Sequence, residues 1–451
     1  MSRKLSRTYA APQVRPIANP QAQPVVRPSS PQYDLKGKRL VPANVAPNQT
    51  QTNLVRPPRQ KPRTLAGATI LQIIPALGDE PLAHAAVDTA LTLLQSGARA
   101  IVAGDGGALA GELRAFGGEW IPLASESYNP ITLRRNARAL REIITSERVD
   151  IVHAQSAAAA WSARKAIAKL PVRLVTSFGD RLDTPSWLGR HFQAALARGE
   201  RVIAPSSFVA QAMIERYKLR PERITVIPRR VDTALFSPAA VNVERIGAIR
   251  RAWGILPNQR IVLVPGRIAP WNGQIGVIDA ARLIVGNGGR NVVFVFAGDD
   301  RSEPGYRNAI LHRAQAQGID TLVRVVGHVP DMPTAIAAAD VVVIPALKPP
   351  LTGRVAAEAQ AMGRPVVVNA VGVLPENVIT PPRMAEELRT GWVVRPGHAG
   401  DLARGIATAL SLDRKTYEAM GARARQFAEF MFSPQSVAAK VRGLYTSLLA
   451  R

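Results

Sequence analysis

Residues able to do chemistry are concentrated between Val341 and Pro365, in the run VVVIPALKPPLTGRVAAEAQAMGRP. It reads as a buried strand, a loop, and a helix that opens on Gly353, Arg354 and Val355 and carries one carboxylate, Glu358. A helix start offers unpaired N–H groups and the positive end of the dipole, which suits a phosphate. Glu358 adds a hydrogen-bond acceptor one turn further on, with a solvated helix glutamate as its plain alternative. Upstream, Arg267 directly follows an apolar run in PGRIAPWNGQ, a forked, always-charged guanidinium whose plain alternative is a surface ion pair. Lys348 lies in the loop two residues before Pro350, where a solvated lysine is the plain reading. The chain has no Cys, which excludes disulfides, thiolate metal sites and a cysteine nucleophile. Its six His residues show no HExxH or other ligand spacing, so no metal is expected.

These residues need a scaffold, and the sequence supplies a βα rhythm twice. LAGATILQII, ARAIVAG, GGEWIPL, VDIVHAQ, VRLVTSF and RVIAPSS are short apolar runs. Between them AHAAVDTALTLLQSG and NPITLRRNARALREIITSE have helical periodicity. After about Arg230 the rhythm restarts with QRIVLVPGR, NVVFVFAGD, VRVVGHV, ADVVVIPA and RPVVVNA, near-continuous Val/Ile runs of the kind buried on both faces of a parallel sheet. The expectation is α/β: two Rossmann-like, doubly wound domains over 64–230 and 231–430, and a terminal amphipathic helix within 431–451 that packs back toward the first domain. Ligands of such sheets sit at the carboxyl ends of the strands. Neither half opens with GxGxxG, and the glycines of GDGGALAGEL read as an ordinary βα turn.

Charge sets the first 63 residues apart. They hold twelve Lys or Arg against Asp34, so +11 of the chain's +25, together with eleven prolines and two aromatics, Tyr9 and Tyr33. Too little apolar surface is available there to offset the entropy of ordering, which predicts a disordered, basic, Pro-rich tail. Such a tail suits an anionic membrane surface or an acidic partner, or is simply solvated. Nothing in it has the spacing of a nucleic-acid module, so nucleic acid is not expected as a partner. No apolar run reaches the roughly 18 residues of a membrane span, and the N-terminus lacks the apolar segment of a signal peptide. The expected location is cytoplasmic, with peripheral attachment at the inner face of the membrane as an option.

The second half contains, in order, PGRIAPWNGQ, FAGDD, GHVPDMPTAIAAADVVVIPA, GRVAAEAQAMGRPVVV, NAVGVLPENV and TGWVVRPGHAGDLARGI. This series, over roughly 190 residues, resembles the nucleotide-binding half of the family 4 glycosyltransferases, and the likeness extends more faintly back to Leu65. The resemblance implies a GT-B fold and retaining, metal-independent transfer of a sugar from a nucleotide-sugar donor. Arg267 matches the arginine on the donor diphosphate, and Glu358 the acid that accepts from the ribose hydroxyls. Gly353, Arg354 and Val355 match the helix start facing phosphate, and Gly327 and His328 match the turn beside the nucleobase. The implied role is surface polysaccharide or lipopolysaccharide assembly on a glycan or lipid-linked acceptor, with no cofactor.

The family pattern also breaks. Its lysine after the arginine is Asn272, and its first acid is Pro350. Its acceptor-loop glycines and glutamate give way to Glu80, Pro81 and Ala83, its first-domain histidine to Gly179, and its interdomain glycine to Arg230. A missing cation on a departing diphosphate typically costs ~10² to 10³ in rate. Lys348 is the preferred substitute, ahead of Arg354 and Arg230. The competing expectation is a non-catalytic relative serving as a nucleotide-binding or membrane and partner scaffold.

Overall fold

The computed structural model describes residues 32–33, 39–40, 64–178, 187–289 and 291–450. β1 (Gln32–Tyr33) and β2 (Arg39–Leu40) pair with each other antiparallel. The reading of residues 1–63 as a disordered tail otherwise lies outside the described residues, and so does Gly179. The body holds two parallel sheets. The first comprises β3 (Thr69–Ala76), β4 (Arg99–Asp105), β5 (Glu119–Pro122), β6 (Ile151–Ala154), β7 (Arg173–Ser177), β8 (Arg201–Ala204) and β9 (Ile224–Val226), in spatial order 5-4-3-6-7-8-9. The second comprises β10 (Arg260–Pro265), β11 (Val292–Ala297), β12 (Val323–Gly327), β13 (Val341–Ile344), β14 (Val366–Asn369) and β15 (Gly391–Val394), in order 12-11-10-13-14-15.

Helices α1 (Pro81–Gln95), α2 (Leu109–Ala115), α3 (Pro130–Ser146), α4 (Ala157–Ala166), α5 (Trp187–Gln193) and α6 (Ser207–Tyr217) belong to the first sheet. Helices α7 (Val243–Ala252), α8 (Gln274–Gly286), α9 (Pro304–Ala316), α10 (Met332–Ala338), α11 (Arg354–Ala361), α12 (Ala399–Leu410) and α13 (Arg414–Phe432) follow, and α14 (Pro434–Leu449) ends the chain. Alternation along a strand feeds two cores per sheet. Ile70 packs with Val87 of α1 and Tyr445 of α14, whereas Leu71 packs with Leu140 of α3 and Ala160 of α4. In the second sheet Val262 faces α8 and α12, and Leu263 faces α10, α11 and α13. Both sheets reverse direction of strand order beside their central strand, at β3/β6 and at β10/β13, which is where a ligand crevice opens.

The chain crosses between the sheets twice. The first crossing, after β9, is joined to the second by a hydrogen bond from Val231 N to the Phe432 carbonyl (2.8 Å). Ser433 caps α14 by accepting from Ser436 N (3.2 Å), and Pro434 occupies its first position, so α13 stops and α14 turns back onto α1. Among the described residues no helix is long and apolar enough to cross a membrane.

Candidate active site

The residues singled out from sequence lie on successive loops at the carboxyl edge of the second sheet. Arg267 follows β10, Gly327 and His328 end β12, Lys348 follows β13, and Gly353 to Glu358 open α11. Backbone contacts bring the first three loops together. A Cβ on Gly298 would stand 1.9 Å from the Gly266 carbonyl, and Gly298 N donates to the Gly327 carbonyl (2.8 Å). Both Leu347 N (2.8 Å) and Lys348 N (3.1 Å) donate to the Trp271 carbonyl, and the Lys348 ammonium lies 5.4 Å from the Trp271 ring centroid. Arg267 is exposed, and among the described residues it makes no ion pair, which leaves the guanidinium available to an anion. It helps Arg301 hold the Asp299 carboxyl well below the usual carboxylate range. His328 is exposed and is joined to the other site residues by no hydrogen bond among the described residues.

At α11 the structure adds what sequence alone does not reveal. Gly353 is the N-cap in the left-handed region (φ 58°), and its carbonyl accepts from Asn377 Nδ2 (3.0 Å). No side chain caps the helix, so the Arg354 and Val355 N–H groups stand at an open start. Glu358 is not a solvated helix glutamate: it is 4% exposed. Burial pushes its carboxyl up to about 7, against the pull of the Arg354 guanidinium 3.2 Å away. A buried carboxyl under a cation and beside free N–H groups can hold a hydroxyl-bearing, phosphate-bearing ligand.

The departures from the family pattern are also visible in geometry. Asn272 turns its amide to the Arg267 carbonyl (2.7 Å), a bond that Gln274 Nε2 duplicates (2.8 Å). The position therefore braces a loop where a lysine would project charge. Pro350 accepts through its carbonyl from Val373 N (3.2 Å). The next residue, Leu351, packs against the first-domain core. Arg230 is not delivered to this edge: it pairs with Asp88 of α1 and lines a cavity of about 360 Å³ between α1 and α14. Burial raises the Asp88 carboxyl and Arg230 opposes that rise. Within the same cavity wall His153 joins Ser177 Oγ through Nε2 (2.5 Å) and the Tyr445 hydroxyl through Nδ1 (2.7 Å), and burial drives its imidazole down to about 3.

Sequence reasoning passed over Glu376, whose only signal was its place in NAVGVLPENV. Its carboxylate accepts from the backbone N–H groups of Ser207 (2.8 Å) and Phe208, at the start of α6. It therefore joins the second domain to the first across the crevice, in a position suited to a negative charge. Trp271, the platform beneath Lys348, was likewise unremarked.

Two Rossmann-like domains whose strand ends meet across one crevice define the GT-B fold. The chain belongs to family 4 of the GT-B glycosyltransferases: the model described as Glycosyltransferase Family 4 matches residues 86–235, and that described as Glycosyl transferases group 1 matches 246–427. It is 29% identical over 280 residues to a D-inositol 3-phosphate glycosyltransferase of Corynebacterium glutamicum, a match covering 61% of this chain and 64% of that protein. For a second such protein, of Corynebacterium efficiens, identity is 29% over 237 residues, covering 52% of this chain and 53% of the relative. The chain thus spans less than two thirds of the length of these curated relatives. A crystal structure of a glycosyltransferase from Rickettsia africae superposes with a TM-score of 0.74 at 26% identity, covering 85% of this chain and 99% of that one. Anabaena HepE, solved in complex with UDP, superposes at 0.68 with 22% identity, covering 84% of this chain and all of its own, and so speaks to the fold alone.

Proposed function

We propose that the protein transfers a sugar from a nucleotide-sugar donor to a glycan or lipid-linked acceptor, with retention of configuration, in surface polysaccharide or lipopolysaccharide assembly. The observation that carries the donor half of this reading is Glu358, a buried carboxyl under Arg354 at an open helix start. In this reading the Glu358 carboxylate accepts from the ribose hydroxyls, and the Arg354 and Val355 N–H groups face phosphate. Gly327 and His328 border the nucleobase. The charge of the departing diphosphate falls to Arg267 and Lys348 rather than to a metal ion. Anabaena HepE has been solved with UDP and with UDP-glucose, so a uridine nucleotide is the first donor to try.

A second reading, nucleotide binding without transfer, is favoured by one specific feature. Asn272 and Pro350 stand where the family places a cation and an acid, and both are engaged in backbone contacts. Calorimetric titration with UDP, GDP and ADP, then with their sugar conjugates while donor hydrolysis is followed, separates the readings. Slow turnover of a bound donor is the outcome expected of a transferase lacking its acceptor. Binding with no turnover under any acceptor tried selects the second reading. Arg267→Glu should abolish nucleotide binding, and an unchanged affinity would refute the assigned site.

A further inference from the structure

We propose that the cavity between α1 and α14 binds a small amphiphilic carboxylate that carries a second oxygen at its far end. The cavity holds about 360 Å³, at the lower end of the roughly 300 to 1,000 Å³ of small-molecule sites. Its floor is formed by buried residues at the carboxyl ends of the first sheet, His153, Phe178 and Ile203, together with Tyr445 of α14. Exposed Gln95 and Arg442 stand at its mouth, and Leu91 of α1 and Val441 of α14 give it apolar sides. Pro228 of the first interdomain crossing and Pro434 of the second are both in its wall, so an occupant touches both segments that join the domains.

One hydroxyl at the floor has a proton to give. The Tyr445 side chain is fully buried, and His153 Nδ1 is the one hydrogen-bond partner of its hydroxyl among the described residues (2.7 Å). Burial makes the phenol hold its proton, so it donates and Nδ1 accepts. Burial also keeps the imidazole neutral, so its single proton sits on Nε2 and is donated to Ser177 Oγ (2.5 Å). The Ser177 hydrogen is thereby turned away from His153, and Ser177 lines the cavity with no other partner among the described residues. A donor left over in a recess with apolar sides calls for an oxygen acceptor. Charge sets the other end of the ligand. Arg229, Arg230 and Arg442 line the cavity against one acid, Asp88, which Arg230 already pairs. Arg442 makes no ion pair among the described residues. A hydrocarbon body with its carboxylate at Arg442 and an oxygen toward Ser177 meets all three surfaces. The cavity shares no residue with the donor site, and its occupancy does not depend on sugar transfer.

The test is calorimetric titration of the full chain with 10-hydroxydecanoate, decanoate and decane-1,10-diol. The expected order of affinity is hydroxy acid, then acid, then diol, and it is read in the wild-type protein without any variant. Ser177→Ala should lower affinity for the hydroxy acid by about fivefold, the worth of one net hydrogen bond, and leave decanoate unchanged. Arg442→Glu, at an exposed position, should weaken both acids by roughly tenfold and spare the diol. Arg267→Glu should leave all three unchanged, which separates this cavity from the nucleotide assignment. Four results overturn the proposal. Neither acid binds, which makes the cavity a hydrated void; the diol binds as tightly as the acids; the hydroxy acid has no advantage over decanoate, or keeps it in Ser177→Ala; or both acids are indifferent to Arg442→Glu.

Discussion

Glu358 shows at the scale of one residue why a motif position and a working site are different things. Its place in GRVAAEAQ was legible, and its burial was not, because exposure depends on what the rest of the fold lays over the helix. Burial has a measurable consequence. Below its ordinary value of 4.5 both the folded and unfolded chains carry the proton. As pH rises toward about 7 the unfolded chain ionises first, so stability falls through that window, by about 3 kcal/mol at most. His153 runs the other way: lowered to about 3, it makes the fold lose stability as pH falls below its ordinary 6.5. Denaturant unfolding between pH 5 and 8 should therefore show Glu358→Gln removing the loss on the alkaline side while leaving the acid limb in place. Ligand binding should move oppositely to stability, since only the carboxylate accepts two ribose hydroxyls. Nucleotide affinity should rise as pH passes through about 7 in the wild-type protein and be flat in Glu358→Gln. A wild-type affinity independent of pH would detach Glu358 from the ribose.

Among the elements, the strands were the most readable and the loops the least. VVFVFA and VVVI are buried along nearly their whole length, so only a sheet covered on both faces accommodates them, and they became β11 and β13. β9 went unread because three residues, partly exposed, carry no periodicity. The start of α11 was legible from Gly353, and the structure supplies the reason glycine is needed. The residue sits at φ 58°, and a Cβ there would lie 2.3 Å from Asn377 Nδ2. Gly353→Ala should thus cost about 1 to 2 kcal/mol from conformation alone, with the displaced Asn377 adding to it. A lowered denaturation midpoint at unchanged m-value checks this. Should the variant match the wild type, the open helix start would not depend on the left-handed turn. Lys348 illustrates the opposite case. Its loop was visible as a loop, but its placement over Trp271 depends on a contact between segments 77 residues apart in sequence, which no local pattern encodes.

At the scale of the whole molecule, the two domains are tied by contacts of unlike kind, and their positions define how the crevice can move. The crossings at Val231 and Phe432 are hydrogen-bonded to one another, and Arg230 fastens the first of them to Asp88 of α1. These lie together, so an opening of the crevice would turn about them. Glu376 and Leu351 reach across the crevice from the opposite domain, Leu351 onto the first-domain core and Glu376 onto the start of α6. Bonds made to a helix start by a carboxylate are charge-assisted, worth roughly 0.3 to 1 kcal/mol each near a surface and more when water is excluded. Two of them, with one aliphatic contact, make a latch weak enough to open for ligand exchange and strong enough to bias the closed state. Glu376→Gln keeps the shape and removes the charge, so it should shift the population toward an open crevice. Small-angle scattering should show a larger radius of gyration for that variant without nucleotide, and high salt should expand the wild type in the same direction. Because Arg267 and Glu358 both belong to the second domain, nucleotide affinity itself should change little. A variant that loses nucleotide affinity while keeping the wild-type radius of gyration would show that Glu376 serves the donor site rather than the closure of the domains.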